Sequence, residues 1–124
     1  MKTLLLQLHR AKQKELPDKL ATVQAYIRDH YKENPSNKEL GKLVGYHEYY
    51  LNRIFLAYTG MSLHEYLIKV RLEKAISLII NTNLPLNTVA TEVGIQSYPH
   101  FSSCFRAAFG CSPSQYRRRH RGGI

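Results

Sequence analysis

An all-α chain, with two helix-turn-helix subdomains and about seven helices arranged around a long central linker helix, is what the sequence predicts on three observations. The first is an internal repeat. Leu40, Val44, Gly45, Leu51, Phe55, Gly60, Ser62 and Tyr66 recur as Val89, Val93, Gly94, Phe101, Phe105, Gly110, Ser112 and Tyr116, with one extra residue after Gly94 as the single change in spacing. An insertion in a turn costs little. The second is the stretch Ser62 to Ile80 between the copies, which reads as one helix. Gly60 closes what precedes it, Ser62 and Glu65 form a capping box, Met61 can staple onto Tyr66, and Asn81, Asn83 and Pro85 stop it. Its apolar residues Leu63, Leu67, Val70, Leu72, Ile76, Ile79 and Ile80 point in several directions, as in a helix covered on more than one side. The third is that each copy divides into two short apolar-periodic runs separated by a glycine turn, the pattern of a helix-turn-helix.

Taken in order, residues 1 to 16 carry Leu4, Leu5, Leu8 and Ala11 at helical spacing among Lys2, Arg10, Lys12 and Lys14. A short amphipathic helix is expected there, either packed on this domain or frayed, or else the end of a linker from another domain or a dimer seam. Pro17 is expected to break it, with Asp18 capping a new helix that carries Leu20, Val23, Ile27 and Tyr31 on one stripe. Asn34 and Pro35 form the next break. Ser36 and Glu39 then cap a short helix through Leu40, Leu43 and Val44 that Gly45 ends. The second helix of the first copy runs from about Glu48 to Tyr58, with Leu51, Ile54, Phe55 and Tyr58 inward. In the second copy Asn87 is expected to cap a helix through Val89, Ala90 and Val93, and a helix from about Ser97 to Phe109 turns Phe101, Cys104, Phe105 and Ala108 inward. Pro99 is tolerated in its first turn. The predicted divisions are an N-terminal helix or linker over 1–17, subdomains over 18–60 and 82–117 flanking the linker helix over 61–81, and a basic tail over 118–124.

Length and charge narrow the function. The 124 residues form one domain's worth of chain, and 18 lysines and arginines against 9 acidic residues give a net charge of +9. That balance favours a polyanionic partner, nucleic acid or an anionic membrane surface. No apolar run approaches a membrane span, and Leu4 to Leu6 is too short for a secretion signal, so a cytoplasmic protein at the nucleoid is expected. Cys104 and Cys111 form no paired C-x-x-C pattern, so packed, reduced thiols are expected rather than a metal site. Nucleophile-base sets, phosphate-cradling loops and paired carboxylates are not visible, so neither catalysis nor a cofactor is expected.

The faces opposite the buried stripes follow from the 100° helical step. In the first copy the outward set is Tyr49, Asn52, Arg53 and Leu56, with His47 at the helix entrance. These suit a DNA major groove: Arg grips guanine, Asn grips adenine, and Tyr offers a hydroxyl and a ring to a thymine methyl. A merely solvated polar face is the alternative, and placement after a glycine turn in a duplicated motif favours DNA. In the second copy the matching positions are Pro99, Ser102, Ser103 and Arg106, with Gln96, Ser97 and Tyr98 at the entrance. That surface is poorer in base-reading groups, so the first copy is expected to discriminate sequence and the second to clamp phosphates. About nineteen linker residues span ~28 Å, close to the ~34 Å between successive major grooves, so both helices are expected to enter adjacent grooves unless only one copy engages. The run Arg117, Arg118, Arg119, His120 and Arg121 is expected to attract phosphate, with a solvated, disordered end as the alternative for the last few residues.

From about Leu20 to Arg117 the chain resembles the DNA-binding domains of AraC/XylS transcription regulators. The resemblance is carried by Phe101, Phe105, Gly110, Ser112, Pro113, Tyr116 and Arg117, and by Tyr66, Leu67, Arg71, Leu72 and Ala75 in the linker helix. Ile95, His47, Gly41 and Ser103 depart from the usual Phe, Ser, Ala and Arg. The resemblance implies sequence-specific binding of double-stranded DNA by the residues named above, bacterial transcription regulation in the sense of activation, and a separate effector-sensing domain. RNA polymerase is then a further partner, and dimerisation would fall to residues 1 to 16 or to parts outside this chain. A protein-interaction module, a non-specific basic DNA binder and a redox or metal sensor using Cys104 and Cys111 are the competing readings.

Overall fold

The computed structural model describes the backbone from Lys2 to Arg121 and side chains from Glu15 to Arg121. The side chains of Leu4, Leu5, Leu8 and Ala11, and residues 122 to 124, lie outside the described residues. The elements are α1 (Lys2–His30), a 3-10 turn (Tyr31–Glu33), α2 (Asn37–Val44), α3 (Glu48–Thr59), α4 (Leu63–Asn81), α5 (Leu86–Glu92), α6 (Tyr98–Phe109) and α7 (Pro113–Arg121). No strand occurs among the described residues, and the all-α architecture is the expected one: α2–α3 and α5–α6 are the two helix-turn-helix pairs, and α4 is the helix between them.

Pro17 does not end a helix. The α1 helix continues through it, and Asp18, expected as an N-cap, instead accepts a 2.9 Å hydrogen bond on its carbonyl from the Thr22 hydroxyl. An interior proline removes its own amide bond and crowds the carbonyl four residues back, and because Pro17 is exposed the helix can bear both on its water side.

The chain divides into two compact units. One comprises residues through Asp29 together with Pro35–Leu63; the other comprises His30–Asn34 and residues from His64 onward. In the first unit Leu20, Val23 and Ile27 of α1, Leu40 and Val44 of α2, Leu51 and Phe55 of α3, and Leu63 are buried. Ser36 caps α2 as expected, its hydroxyl accepting the Glu39 amide at 3.1 Å. Gly45 ends α2 at φ +77°, in the left-handed region where a side chain is disfavoured. The next amide, Tyr46, donates to the Gly41 carbonyl at 2.9 Å. This folds the turn so closely over α2 that a Cβ on Gly41 would collide with the Tyr46 carbonyl oxygen.

The second copy makes the same bond, from the Ile95 amide to the Ala90 carbonyl at 2.9 Å, yet there the helix carries an alanine. The additional residue between Gly94 and the next helix gives that turn the slack to clear a methyl group. Gly41 is thus the counterpart of the shorter turn.

The core of the second unit gathers Leu72, Ala75 and Ile79 of α4, Val89 and Ala90 of α5, Val93, Ile95, and Phe101 and Phe105 of α6, with Tyr116 of α7 packed against it. The Phe105 ring lies 5.5 Å from Tyr116, edge to face. Around α4, residues Tyr66, Leu67, Val70, Leu72, Ala75 and Ile79 are all buried, the many-sided coverage its sequence predicts. Three expectations fail in detail. Asn87 lies inside α5 rather than at its N-cap, which is Pro85. Tyr58 and Ala108, expected inward, are exposed. They are matching positions, each in the last turn of its helix, where the inward stripe runs past the core.

Arg71 is 5% exposed. Its Nε donates to the Tyr31 carbonyl at 2.9 Å, its Nη2 has no partner, and burial lowers its pKa. A Cβ on Gly94, itself at φ +94°, would meet this guanidinium at 3.2 Å. Arg121 does the same work one repeat later, its Nε donating to the Ile80 carbonyl at 3.2 Å. Tyr31 and Ile80 are 49 residues apart and Arg71 and Arg121 are 50 apart, the same two offsets that flank the extra residue elsewhere in the repeat. The duplication therefore includes the end of the preceding helix and the arginine that closes it.

Gly41→Ala should lower stability by about 1–3 kcal/mol, outweighing its helix-propensity gain of about 1 kcal/mol. Adding one residue between Tyr46 and His47 in that variant should recover most of the loss, as read from urea midpoints.

Candidate nucleic-acid interface

Each helix that follows a glycine turn presents one face outward. On α3, His47 is the N-cap: its Nδ1 accepts the Tyr49 amide at 3.3 Å, and its ring stacks on the Tyr49 ring at 5.3 Å and 25°. His47 therefore both starts the helix and steadies the ring of Tyr49, which is 78% exposed. Arg53 is exposed one turn further on, and Leu56 follows.

Asn52 departs from its expected place. It is half-buried, and its Oδ1 accepts the amide of Leu63, the first residue of α4, at 3.0 Å. The first amides of a helix have no intrahelical acceptor, so this bond satisfies a group that the fold would otherwise orphan. In the second copy the matching pair is Ser102 and Pro113. Proline at the first helical position has no amide to satisfy, so no asparagine is needed beneath it. One substitution explains the other.

On α6, Ser97 is the N-cap and accepts the His100 amide at 3.3 Å. Tyr98 is half-buried with its ring 6.0 Å from Phe101. Pro99, Ser102, Ser103, Arg106 and Ala107 line one open groove with Tyr98, and Ser103 and Arg106 are exposed. Exposed Gln96 lies in an adjoining recess with Asn87, Thr88, Thr91 and Glu92 of α5. The structure thus brings Tyr98, Ser102, Ser103 and Arg106 together and sets Gln96 beside them. The polar residues of α5 at that recess were not among the sequence candidates. Cys111 is buried and Cys104 half-buried, with its Sγ 3.8 Å from His100 Nε2. No group of three or more metal-ligating residues occurs among the described residues.

The members of the arginine run are not equivalent. It forms the last turns of α7, and two of its members are turned inward. Arg117 donates through Nε to Ile79 (3.2 Å), through Nη1 to Leu84 (2.7 Å) and through Nη2 to Thr82 (3.4 Å), all carbonyls at or just beyond the end of α4. Arg121 takes the Ile80 carbonyl and the Asn83 side chain. No basic residue lies in the last turn of α4 itself, so α7 supplies the cations that its negative end favours. Desolvation and then the charge of Arg121 lower the pKa of Arg117, which stays a cation all the same. Arg118 and Arg119 remain exposed.

Comparison with known proteins gives a consistent answer. A family model described as "Helix-turn-helix domain" matches residues 40–119. The chain is 32% identical over 93 residues to YisR, an HTH-type transcriptional regulator of Bacillus subtilis, covering 75% of this chain and 32% of that one. It is 38% identical over 69 residues to the transcriptional activator RhaR of Mannheimia succiniciproducens, covering 56% and 25%. The chain therefore spans about a third or less of the length of these relatives. Among solved structures, the C-terminal domain of AraT, a response regulator from Geobacillus stearothermophilus, superposes with a TM-score of 0.74 at 31% identity, covering 82% of this chain and 84% of that one. The DNA-binding domain of AdpA, solved with a target DNA, gives 0.75 at 27% identity, covering 85% and 97%.

Two double comparisons test the assignments. Asn52→Ala should cost about 1–3 kcal/mol in the native chain and almost nothing in a Leu63→Pro background, whatever Leu63→Pro costs by itself; a double-mutant cycle by urea denaturation measures the coupling. Arg117→Ala should lower stability by a comparable amount, whereas Arg118→Ala with Arg119→Ala should leave the melting midpoint unchanged.

With a duplicated helix-turn-helix, a long helix between the copies in sequence and relatives that are transcriptional regulators, the chain belongs to the AraC-type family of helix-turn-helix transcription regulators.

Proposed function

We propose that this chain binds double-stranded DNA sequence-specifically, with α3 and α6 as recognition helices in adjacent major grooves, and that it activates bacterial transcription. The observation that carries the reading is that the helix after each glycine turn presents an outward face with an exposed arginine, Arg53 on α3 and, at a different position of the repeat, Arg106 on α6. The +9 charge supplies long-range attraction to the phosphate backbone. AdpA, whose matching domain was solved on its target, lends support, as does the activator RhaR for the direction of regulation. In relatives roughly three times as long, the remaining chain has room for a sensing domain, and we place effector response and polymerase contact in the whole protein.

The two faces divide the work. Arg53 stands mid-helix between groups suited to base edges, and we assign it to guanine. Serines and a proline surround Arg106, so phosphate is its target and α6 acts chiefly as a clamp. Gln96, Ser97 and His47 sit at helix entrances, where backbone and side-chain donors meet the sugar-phosphate edge.

Selection of bound sequences from random duplexes at fixed, near-physiological salt tests this. Enrichment of two blocks about one helical turn apart is expected. Arg53→Ala should lose about 1–3 kcal/mol at a single base position, and Arg106→Ala should weaken all sequences alike. Replacing Arg118 and Arg119 with Ala should flatten the salt dependence by up to about 0.9 per lost phosphate contact. Absence of any enriched sequence would reduce the chain to a non-specific binder.

A further inference from the structure

We infer that the first recognition helix identifies thymine by its 5-methyl group, using Leu56 and Tyr49 on either side of Arg53. The inference rests on the duplex-DNA reading above and specifies what that face selects.

With Asn52 held by the Leu63 amide, α3 has lost from its outward face the side chain best suited to adenine. What remains is Tyr49, Arg53 and Leu56, spaced i, i+4 and i+7 on one stripe. Seven residues of helix rise about 10 Å, roughly three base-pair steps. Tyr49 is 78% exposed and Leu56 is 48% exposed. A solitary exposed leucine is unremarkable on a protein surface. Here it flanks an exposed arginine, on the stripe that carries the most exposed of the large apolar side chains, and the matching residue in the other copy is Arg106.

Leucine has no donor or acceptor. Against guanine or cytosine it would strip water from N7, O6 or N4 and return no hydrogen bond. The C5-methyl of thymine is the one apolar feature on the major-groove edge, so Leu56 gains there and loses elsewhere. Tyr49 reaches the same chemistry through its ring, which His47 already holds by stacking and by the bond to its amide, so little ordering remains for binding. Arg53 between them supplies the charge that makes DNA, rather than an apolar protein groove, the occupant.

The test uses the full chain and its selected duplex, with each thymine replaced in turn by uracil, a change that removes only the methyl. Binding should weaken about fourfold at one or two thymines within three base pairs of the guanine sensed by Arg53, the effect of one buried methyl. Leu56→Ala should abolish the difference at one such position and Tyr49→Ala at the other, with helical content unchanged because both side chains are exposed. A selected sequence that binds equally well with uracil at every position overturns this inference alone. So does uracil sensitivity that survives in both variants. Failure to select any sequence overturns both this inference and the sequence-specific reading.

Discussion

Every helix leaves amides unpaired at its start and carbonyls at its end, and the seven α-helices of the described residues have many such ends to satisfy. That constraint organises this structure more than any single core contact. Ser36, His47 and Ser97 close helix starts with their own side chains, and Gly45, Gly60 and Gly110 close helix ends in left-handed conformation. Other helix ends also take partners from far along the chain. Asn52 reaches eleven residues forward to start α4, while Arg117 and Arg121 reach back more than thirty residues to finish it.

The duplication makes these debts comparable between copies. Asn52 over Leu63 becomes Ser102 over Pro113, and Gly41 under a tight turn becomes Ala90 under a looser one. In each pair, a change in backbone demand at one position is matched by a side chain at the other. The two units have kept one backbone plan and solved its local problems differently, and at Asn52 and Ser102 that difference reaches the outward helices.

The fold was legible in the sequence because its signals are periodic and local. The capping pairs, the glycine stops and the spacing of Phe101, Phe105 and Tyr116 are each visible in a window of a few residues. Failures came where a residue's role is set by a distant partner or by what surrounds it. Pro17 looks like a breaker, yet its missing bond is on the exposed side. Helical geometry places Asn52 outward, and nothing within a turn of it reveals the waiting amide of Leu63. The arginine run reads as one charged block, although Arg117 and Arg121 close α4 while Arg118 and Arg119 face water. The repeat contained the clue for Arg121, since it falls at the place of Arg71, but only the structure shows what either one holds.

The Asn52 to Leu63 bond also bears on how this protein could acquire new targets. Specificity can drift freely only at positions that the fold does not also employ. On α3 a change at Asn52 is charged to folding before it is expressed in recognition, whereas Pro113 releases Ser102 from any such obligation. On the proposed DNA reading, the second unit, though poorer in base-reading groups, is the more evolvable of the two, and a library built to redirect the protein would find more viable members among its α6 variants than among those of α3.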